Sequence, residues 1–464
     1  HANDPRPAIF SWDTLAHART GEPLWDTAQR SLLRHGELHN NVRMTWAKQL
    51  LQWTSSPERA LAMLLDLNHR YALDGSDPNS YGGLLWAMGQ FDRPFTPDGP
   101  VTGTVRGRSI KAHAARLDIP SWRQRIDRPS GVRRRVAVIG AGIAGLAAAR
   151  SLCDHGHQVA VFDKGRGVGG RMSTRRADGG NFDHGAQFFT ARHDAFLRRV
   201  LAWCEDGLAA RWPGELVRIA ADGVKQIDPT TERFVFVPGM NALCKHLASE
   251  LDTRLSTRVE KIASGDDGWQ LDTTSERYDD VVVTIPLPQA AELLEASELT
   301  TKIALNTPSV TPCLAAMLVL PACTAPFDAA FVDDHALAWV AHDSSKPGRR
   351  VSNGLTHWVV HASEQYSLAH VDLGRDAIGE RLAHALHELL PDLPAALSST
   401  GHRWRYARVN GEALDPLGDG AVAVRPGLWL AGDGCTAKSR VESAWLSGMA
   451  AAARVMASAN SSDR

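Results

Sequence analysis

Residues 135–163, RVAVIGAGIAGLAAARSLCDHGHQVAVFD, constrain the fold of this chain more than any other stretch. A short apolar strand, Val136–Ile139, runs into Gly140, Gly142 and Gly145, which have GxGxxG spacing. A helix rich in small residues (Ala147, Ala148, Ala149) follows and ends at Gly156. A second strand, Val159–Phe162, then carries Asp163 at its tip. This is the βαβ pattern of a dinucleotide site. Gly140 permits the tight turn, Gly142 lets the backbone approach a pyrophosphate, and Gly145 lets helix and strand pack closely. The helix N-terminus, at Ile143 and Ala144, offers unpaired N–H groups and a positive dipole end to phosphate. Asp163 is placed to accept from ribose hydroxyls.

A second run, Gly165-Arg166-Gly167-Val168-Gly169-Gly170, also fits GxGxxG. It starts two residues after Asp163 and no small-residue helix follows, so it is not a second nucleotide site. With Arg171-Met172-Ser173-Thr174 it makes GxGGRxST, which resembles the second glycine motif of flavin-containing amine-oxidase-type enzymes. In that family this loop lies along the FAD pyrophosphate, with the Arg near phosphate. The resemblance therefore implies cofactor contacts from Lys164, Gly169, Gly170, Arg171 and Met172. A surface salt bridge is the plainer reading of Arg171.

The stretches FDKGRGVGGRMSTRR and NFDHGAQFFT (residues 181–190) together resemble the renalases, which share the amine-oxidase fold. Further family-like strings follow in order. Val237–Asn241 precedes a helix, Thr257-Arg258-Val259 resembles the strand whose backbone clamps adenine, and Val281–Pro286 resembles the strand returning to the nucleotide domain. Leu428–Met449 resembles the closing FAD motif, with Gly432 and Asp433 ending a strand and Val441-Glu442 opening a helix. The carboxylate of Asp433 suits ribityl hydroxyls or pyrophosphate-bound water. A helix dipole at Val441 suits the charge that develops on a reduced flavin. Glu442 reads as a structural or ribityl contact.

The resemblance also implies that Gln187 and Phe189 lie against the isoalloxazine; a core position is the alternative for Phe189. Trp404 and Tyr406 resemble a substrate-side strand or plain packing. His184 is a candidate base or a satisfied core histidine. The expected activity is oxidation of dihydronicotinamide isomers to NAD(P)+, with hydride passing to a non-covalently held FAD and oxygen yielding hydrogen peroxide. The alternative on the same fold is an amine oxidase or a desaturase. FAD would carry the redox chemistry and the protein would supply orientation and electrostatics.

Before residue 123 the apolar residues recur at helical spacing. Val42, Trp46, Leu50 and Trp53 form one stripe, and Ser56 opens a second, N-capped helix through Ala60–Leu67. The strings within residues 23–89 resemble the C-terminal helices of class II DNA photolyases, where this region holds part of a bent FAD. On that resemblance Asn41 lies near the flavin, Arg43 pairs with Asp74, Asp77 and Asn79 belong to the same loop, and Trp25, Trp46 and Trp53 relay an electron. Trp46 and Trp53 are two helical turns apart, about 10 Å along the axis. The antenna domain and the upstream helices of a photolyase are not present in these residues. The unit therefore reads as a photolyase remnant or the tail of a longer fusion truncated at His1, and DNA binding by it alone is not expected. A photolyase-derived DNA-binding module remains the reading from another functional class.

The predicted organisation is an all-α segment at 1–122, a polar basic linker at 123–133 around Pro129-Ser130-Gly131, and an α/β (α+β) domain at 134–456. Nucleotide-binding parts are expected near 134–190, 236–286 and 425–456, and a substrate part near 191–235 and 287–424. The formal net charge of −1 excludes a global basic field for nucleic acid. Six scattered cysteines have no zinc-ligand spacing, so no metal is expected and a reduced, cytoplasmic setting is the default. No apolar run of 18 residues occurs, so no membrane partner is expected.

Overall fold

The fingerprint folds as Arg135–Ile139, Ile143–Asp154 and Gln158–Phe162 in a computed structural model of the chain. The described residues are 1, 3–127, 132–177, 180–299, 309–352, 354–410, 414 and 418–461. They divide into His1–Arg133 with Asp154–Gly156, and Arg134–Cys153 with His157–Arg464.

In the larger unit, Arg135–Ile139 sits inside a six-stranded sheet. The order is Ala421–Arg425, Leu428–Ala431, Asp280–Val283, Arg135–Ile139, Gln158–Phe162 and Asp252–Arg254. Register is fixed by Val138 opposite both Val161 and Val282. All neighbours run parallel except the edge strand Ala421–Arg425, which is antiparallel. A parallel sheet must be covered on both faces, and strand alternation shows how. Val136 and Val138 join a core with Leu146, Ala444 and Trp445, while Ala137 and Ile139 join another with Leu287, Leu293 and Leu294.

Two expected boundaries move. The strand Ala421–Arg425 lies in the nucleotide sheet, although residues up to 424 are predicted as substrate part. The helix Leu287–Ala296 packs its apolar stripe under that same sheet.

A seven-stranded sheet forms the second layer system. Its long strands, Ser309–Pro321 and Ser398–Asn410, run antiparallel with Cys313 opposite Trp404. The helix Arg375–Leu389 covers one face through Ile378, Leu382 and Leu386, against Leu314, Leu318 and Val360. Along Ser398–Asn410, Arg403, Arg405 and Arg408 are exposed, whereas His402, Trp404 and Tyr406 point to the partly covered opposite side.

In the smaller unit the predicted helices appear as Asn40–Trp53 and Pro57–Tyr71, the latter capped by the Ser56 side chain on the Arg59 amide. Trp25 stands between the two tryptophans of the stripe, 6.1 Å from Trp46 in a stacked pair and 5.6 Å from Trp53 in an edge contact. All three rings are buried, with Trp25 donating to the Trp46 carbonyl and Trp46 to Gln29. Arg43 forks onto Asp74 at 2.7 and 2.9 Å, Asp77 caps its helix through the Asn79 amide, and Asn41 accepts from Arg108. The expected linker is corrected at its start, because Asp118 caps a helix Ile119–Ile126 that takes in Arg123–Ile126. Pro129-Ser130-Gly131 lie outside the described residues.

Candidate active site

The glycine turn, the second glycine loop and the closing strand converge on one cavity of about 930 Å³. Small-molecule and cofactor clefts rarely exceed about 1,000 Å³, so this one is of dinucleotide size. Gly140, Gly142, Ile143 and Ala144 line its floor, Asp163 and Lys164 one end, and Gly169, Gly170, Arg171 and Met172 the side. Val259, Gly432, Asp433 and Trp404 complete the predicted residues that reach it. Thr257–Val259 does so from an irregular segment, not the expected strand; the ladder resumes only at Ile262–Gly265. Its Thr257 amide donates to the Asp163 carbonyl at 2.9 Å, which ties the segment to the end of the strand Gln158–Phe162.

The floor fits a pyrophosphate. Gly140 has φ +116°, a conformation that favours glycine, and a Cβ built on Gly142 would meet nothing within 4 Å. Gly145 does not line the cavity. A Cβ there would lie 2.0 Å from the Gly140 carbonyl oxygen, so its role is the close helix–strand approach. Asp163 accepts from the Ala141 amide at 2.7 Å and the Gly165 amide at 2.6 Å, which ties both glycine loops to one carboxylate. Each carboxylate oxygen retains a lone pair for a ribose hydroxyl.

At four positions the structure departs from the cofactor contact that the resemblance implies, and for Glu442 and Phe189 it takes the structural alternative. Arg171 does not stand free for phosphate: it forks onto Asp433, with one arm at 2.9 Å, and also reaches the Ala407 carbonyl at 3.2 Å. Asp433 in turn accepts from Ser439. Glu442 lies outside the cavity lining, where its Oε1 accepts from the Arg192 and His193 amides at 2.6 and 2.7 Å. Val441 is also absent from the lining, and Ala444 reaches the cavity from that helix in its place. Phe189 is a core residue, stacked 4.5 Å from Phe236 and 5.8 Å from Phe234. Its apolar neighbours outcompete a place on the cavity wall.

Gln187 and His184 stand behind the wall. His184 packs its ring on Trp404 (5.0 Å) and edge-on to His402 (4.6 Å). Its carbonyl accepts from Trp404 Nε1 at 2.8 Å and His361 Nε2 at 3.1 Å, which fixes the Trp404 indole at the cavity edge. The His184 Nδ1 is buried without a hydrogen-bond partner among the described residues. Burial, then the neighbouring His402, pushes the His184 pKa down to about 3. Burial and Arg408 push His361 down to about 3. Both rings are neutral at physiological pH, so His184 is not a poised base in this arrangement.

A stability consequence follows by linkage. The unfolded chain binds these two protons near pH 6.5, and the folded chain does not until about pH 3. Stability is therefore full above pH 7 and falls as pH drops through 6.5, by about 1.4 kcal/mol per pH unit for each ring. Denaturant midpoints at pH 7.5, 6 and 5 should fall in that order, and His361→Gln should flatten the fall. A midpoint that stays level to pH 5 would refute it.

Sequence reasoning missed the buried ionic cluster behind Gln187. Lys346 is fully buried and donates to Asp343 at 2.5 Å and to Gln187 Oε1 at 3.0 Å. Arg349 pairs with the equally buried Asp183, which also accepts from Thr174 and the Met240 amide. Gln187 Nε2 donates to the Asp183 and Gly185 carbonyls, so the cluster holds the chain that carries His184. Burial pushes the Asp343 carboxyl up, and Lys346 and Arg349 more than reverse this, holding it below the usual range. The available signal was Asp343 and Lys346 at i, i+3 in a polar turn between two apolar strands.

Residues 196–456 match the family described as flavin containing amine oxidoreductase, and residues 138–202 match a NAD(P)-binding Rossmann-like domain. The renalase of Mus musculus is 24% identical over 65% of this chain and 93% of its own length. Deoxyribodipyrimidine photo-lyases of Oryza sativa subsp. japonica and Potorous tridactylus are 33% and 35% identical, over 29% and 27% of this chain. The chain spans only about a quarter of those photo-lyases, 27% and 24% of their lengths. Among solved structures, a putative protoporphyrinogen oxidase from Exiguobacterium has a TM-score of 0.58, covering 70% of this chain and 99% of its own. Cyclohexylamine oxidase from Brevibacterium oxydans has 0.55, covering 72% and 100%. Both are 14% identical, a likeness of fold.

Proposed function

The chain belongs to the flavin containing amine oxidoreductase family, and within it we propose that it oxidises dihydronicotinamide isomers to NAD(P)+, with oxygen as final acceptor and hydrogen peroxide as product. The observation that carries this reading is the chemistry of the wall at His402–Tyr406. Trp404 is held by its indole N–H, His184 and His402 pack against it, and both histidines are kept uncharged. No carboxylate stands in this strand segment. A planar, uncharged ring stacks on such a wall, whereas the ammonium of an amine finds no counter-ion in it.

FAD, when bound in the cavity, supplies the two-electron acceptor. The residues of the chain do the rest by positioning. The glycine floor and Asp163 hold the dinucleotide half, and the Arg171–Asp433 pair fixes the junction between the glycine loop and the closing strand. Trp404 orients the reacting ring. None of these roles needs a proton from His184, and the cofactor is held without a covalent bond. The second reading, an amine oxidase, is favoured by the family match itself.

An anaerobic titration of the purified FAD-loaded protein in the dark separates the two. Bleaching of the flavin absorbance by a dihydronicotinamide isomer mixture, with ordinary NADH and simple amines inert, is the expected result. Bleaching by an amine with the isomers inert would move the assignment to the amine oxidases. On denaturation the flavin should be released into solution.

A further inference from the structure

We infer that the Tyr406 hydroxyl, presented to the cavity on a β-bulge, is the group that recognises the carboxamide of the dihydronicotinamide ring. The inference rests on the proposed oxidation of dihydronicotinamide isomers and names the residue that reads their ring substituent.

Tyr406 stands where the edge strand Ser398–Asn410 leaves its ladder with Ser309–Pro321. Trp404 lies opposite Cys313 and Arg408 opposite Thr311, so Arg405, Tyr406 and Ala407 have Pro312 alone across from them. Proline has no N–H to give to a ladder, and bulges beside a site re-aim the side chains they carry. This bulge is pinned on both sides of Tyr406. Before it, the Trp404 indole N–H donates to the His184 carbonyl at 2.8 Å. After it, the Ala407 carbonyl accepts from Arg171 at 3.2 Å, and Arg171 is itself held by Asp433. Tyr406 lines the same cavity as Trp404, Arg171 and Asp433.

The other ring side chains of this wall are engaged with one another. Trp404 spends its N–H on His184, and His402 packs its ring against Trp404 (4.4 Å) and His184 (4.6 Å). Tyr406 is half-buried, and among the described residues it has neither a ring partner nor a hydrogen bond to its hydroxyl. Its phenol, which can donate and accept, is thus left for whatever occupies the cavity. Trp404 offers a flat face for the ring, and Tyr406, on the same side of the strand, offers a donor for the carbonyl of the ring's carboxamide. Few polar groups set among apolar surface are what fix the orientation of a ligand in a cleft. A hydroxyl covered by a ligand and left without a partner costs affinity, so this group discriminates against a ring that lacks the carbonyl.

The test uses the FAD-loaded full chain and two probes that cannot donate hydride, NAD+ and its analogue with hydrogen in place of the carboxamide. Binding is read from the change each causes in the flavin spectrum. Wild type should prefer NAD+ by about tenfold. Tyr406→Phe, which removes one oxygen and keeps the ring, should lose most of that preference by weakening NAD+ binding alone. Its flavin content and melting temperature should match the wild type. With the isomers as substrates, KM should rise by a similar factor and kcat change less, as for a contact made in ground and transition states alike. A preference for NAD+ that survives in Tyr406→Phe, or is absent from the wild type, would overturn the inference even if the isomers bleach the flavin. Loss of FAD from the variant would also overturn it, assigning the hydroxyl to the cofactor. Should the isomers fail to bleach the wild-type flavin, the proposed reaction falls, while the NAD+ arm still decides the contact.

Discussion

Lys346→Met lowers the stability of the larger unit by about 3–5 kcal/mol, although methionine nearly matches the volume of the side chain it replaces. Lys346, Arg349, Asp183 and Asp343 form a balanced set of two cations and two carboxylates, all with essentially no solvent contact. Removing one cation leaves Asp343 a buried anion whose nearest remaining counter-charge is Arg349, already engaged with Asp183. Surface ion pairs are worth about 0–1 kcal/mol, so a loss of this size would be specific to the buried setting. The double variant Lys346→Met/Asp343→Leu removes charge on both sides and should recover most of the loss. Chemical denaturation of the three proteins at pH 7.5 measures this directly. A single variant within 1 kcal/mol of wild type would show that water reaches Asp343. The effect extends beyond stability, because Lys346 also holds Gln187, which bonds the carbonyls flanking His184. The single variant should therefore loosen the Trp404 wall as well.

The contrast between this cluster and the glycine loops shows what a sequence makes legible. Gly140, Gly142 and Gly145 can be read because backbone sterics tie each to a local task within one βαβ unit, and the observed strands differ from the expected ones by a single residue. Asp163 is similar: its two amide partners, Ala141 and Gly165, are close along the chain or across one parallel pair. The pairing of Arg171 with Asp433 joins residues 262 positions apart, and that of Lys346 with Gln187 joins residues 159 apart. Nothing in local spacing announces such partners. Glu442 is instructive for the same reason. Its place at the start of the last helix was legible, but its acceptors' geometry toward the Arg192 and His193 amides depends on how two distant helices meet. Phe189 stays open in the sequence between cavity and core, because an aromatic there reads the same whether it faces a cavity or, as here, Phe234 and Phe236. The tryptophans of the smaller unit show the converse. Helical spacing put Trp46 and Trp53 on one stripe, but only the fold inserts Trp25 between them.

Gly145→Ala and Gly142→Ala, one methyl group each and three residues apart, should fail in different ways. At position 145 the new Cβ meets the Gly140 carbonyl oxygen at 2.0 Å and Thr284 Oγ1 at 2.6 Å. The first contact is backbone, in the turn that forms the cavity floor. The second is a hydroxyl that already bonds the Ile139 and Gly140 carbonyls at 3.1 Å, so neither can yield without opening the strand–helix junction. Overpacking of a rigid site costs about 1–3 kcal/mol, and the upper end is expected where the obstacle is backbone. This variant should lose stability with or without flavin, and lose FAD because its floor has moved. At position 142 the Cβ meets nothing in the protein, so the flavin-free variant should melt with the wild type. Its methyl group would instead occupy the space where the pyrophosphate must approach the backbone. Wild type gains about 2.7 kcal/mol when FAD is supplied at 100 times its Kd. Gly142→Ala should lose most of that gain at the same FAD concentration, with a flavin content at least tenfold lower after gel filtration. Melting curves of the three proteins, with and without added FAD, resolve the two modes. Equal FAD retention by Gly142→Ala and wild type would place the phosphates away from the helix N-terminus and undo the assignment of the cavity floor.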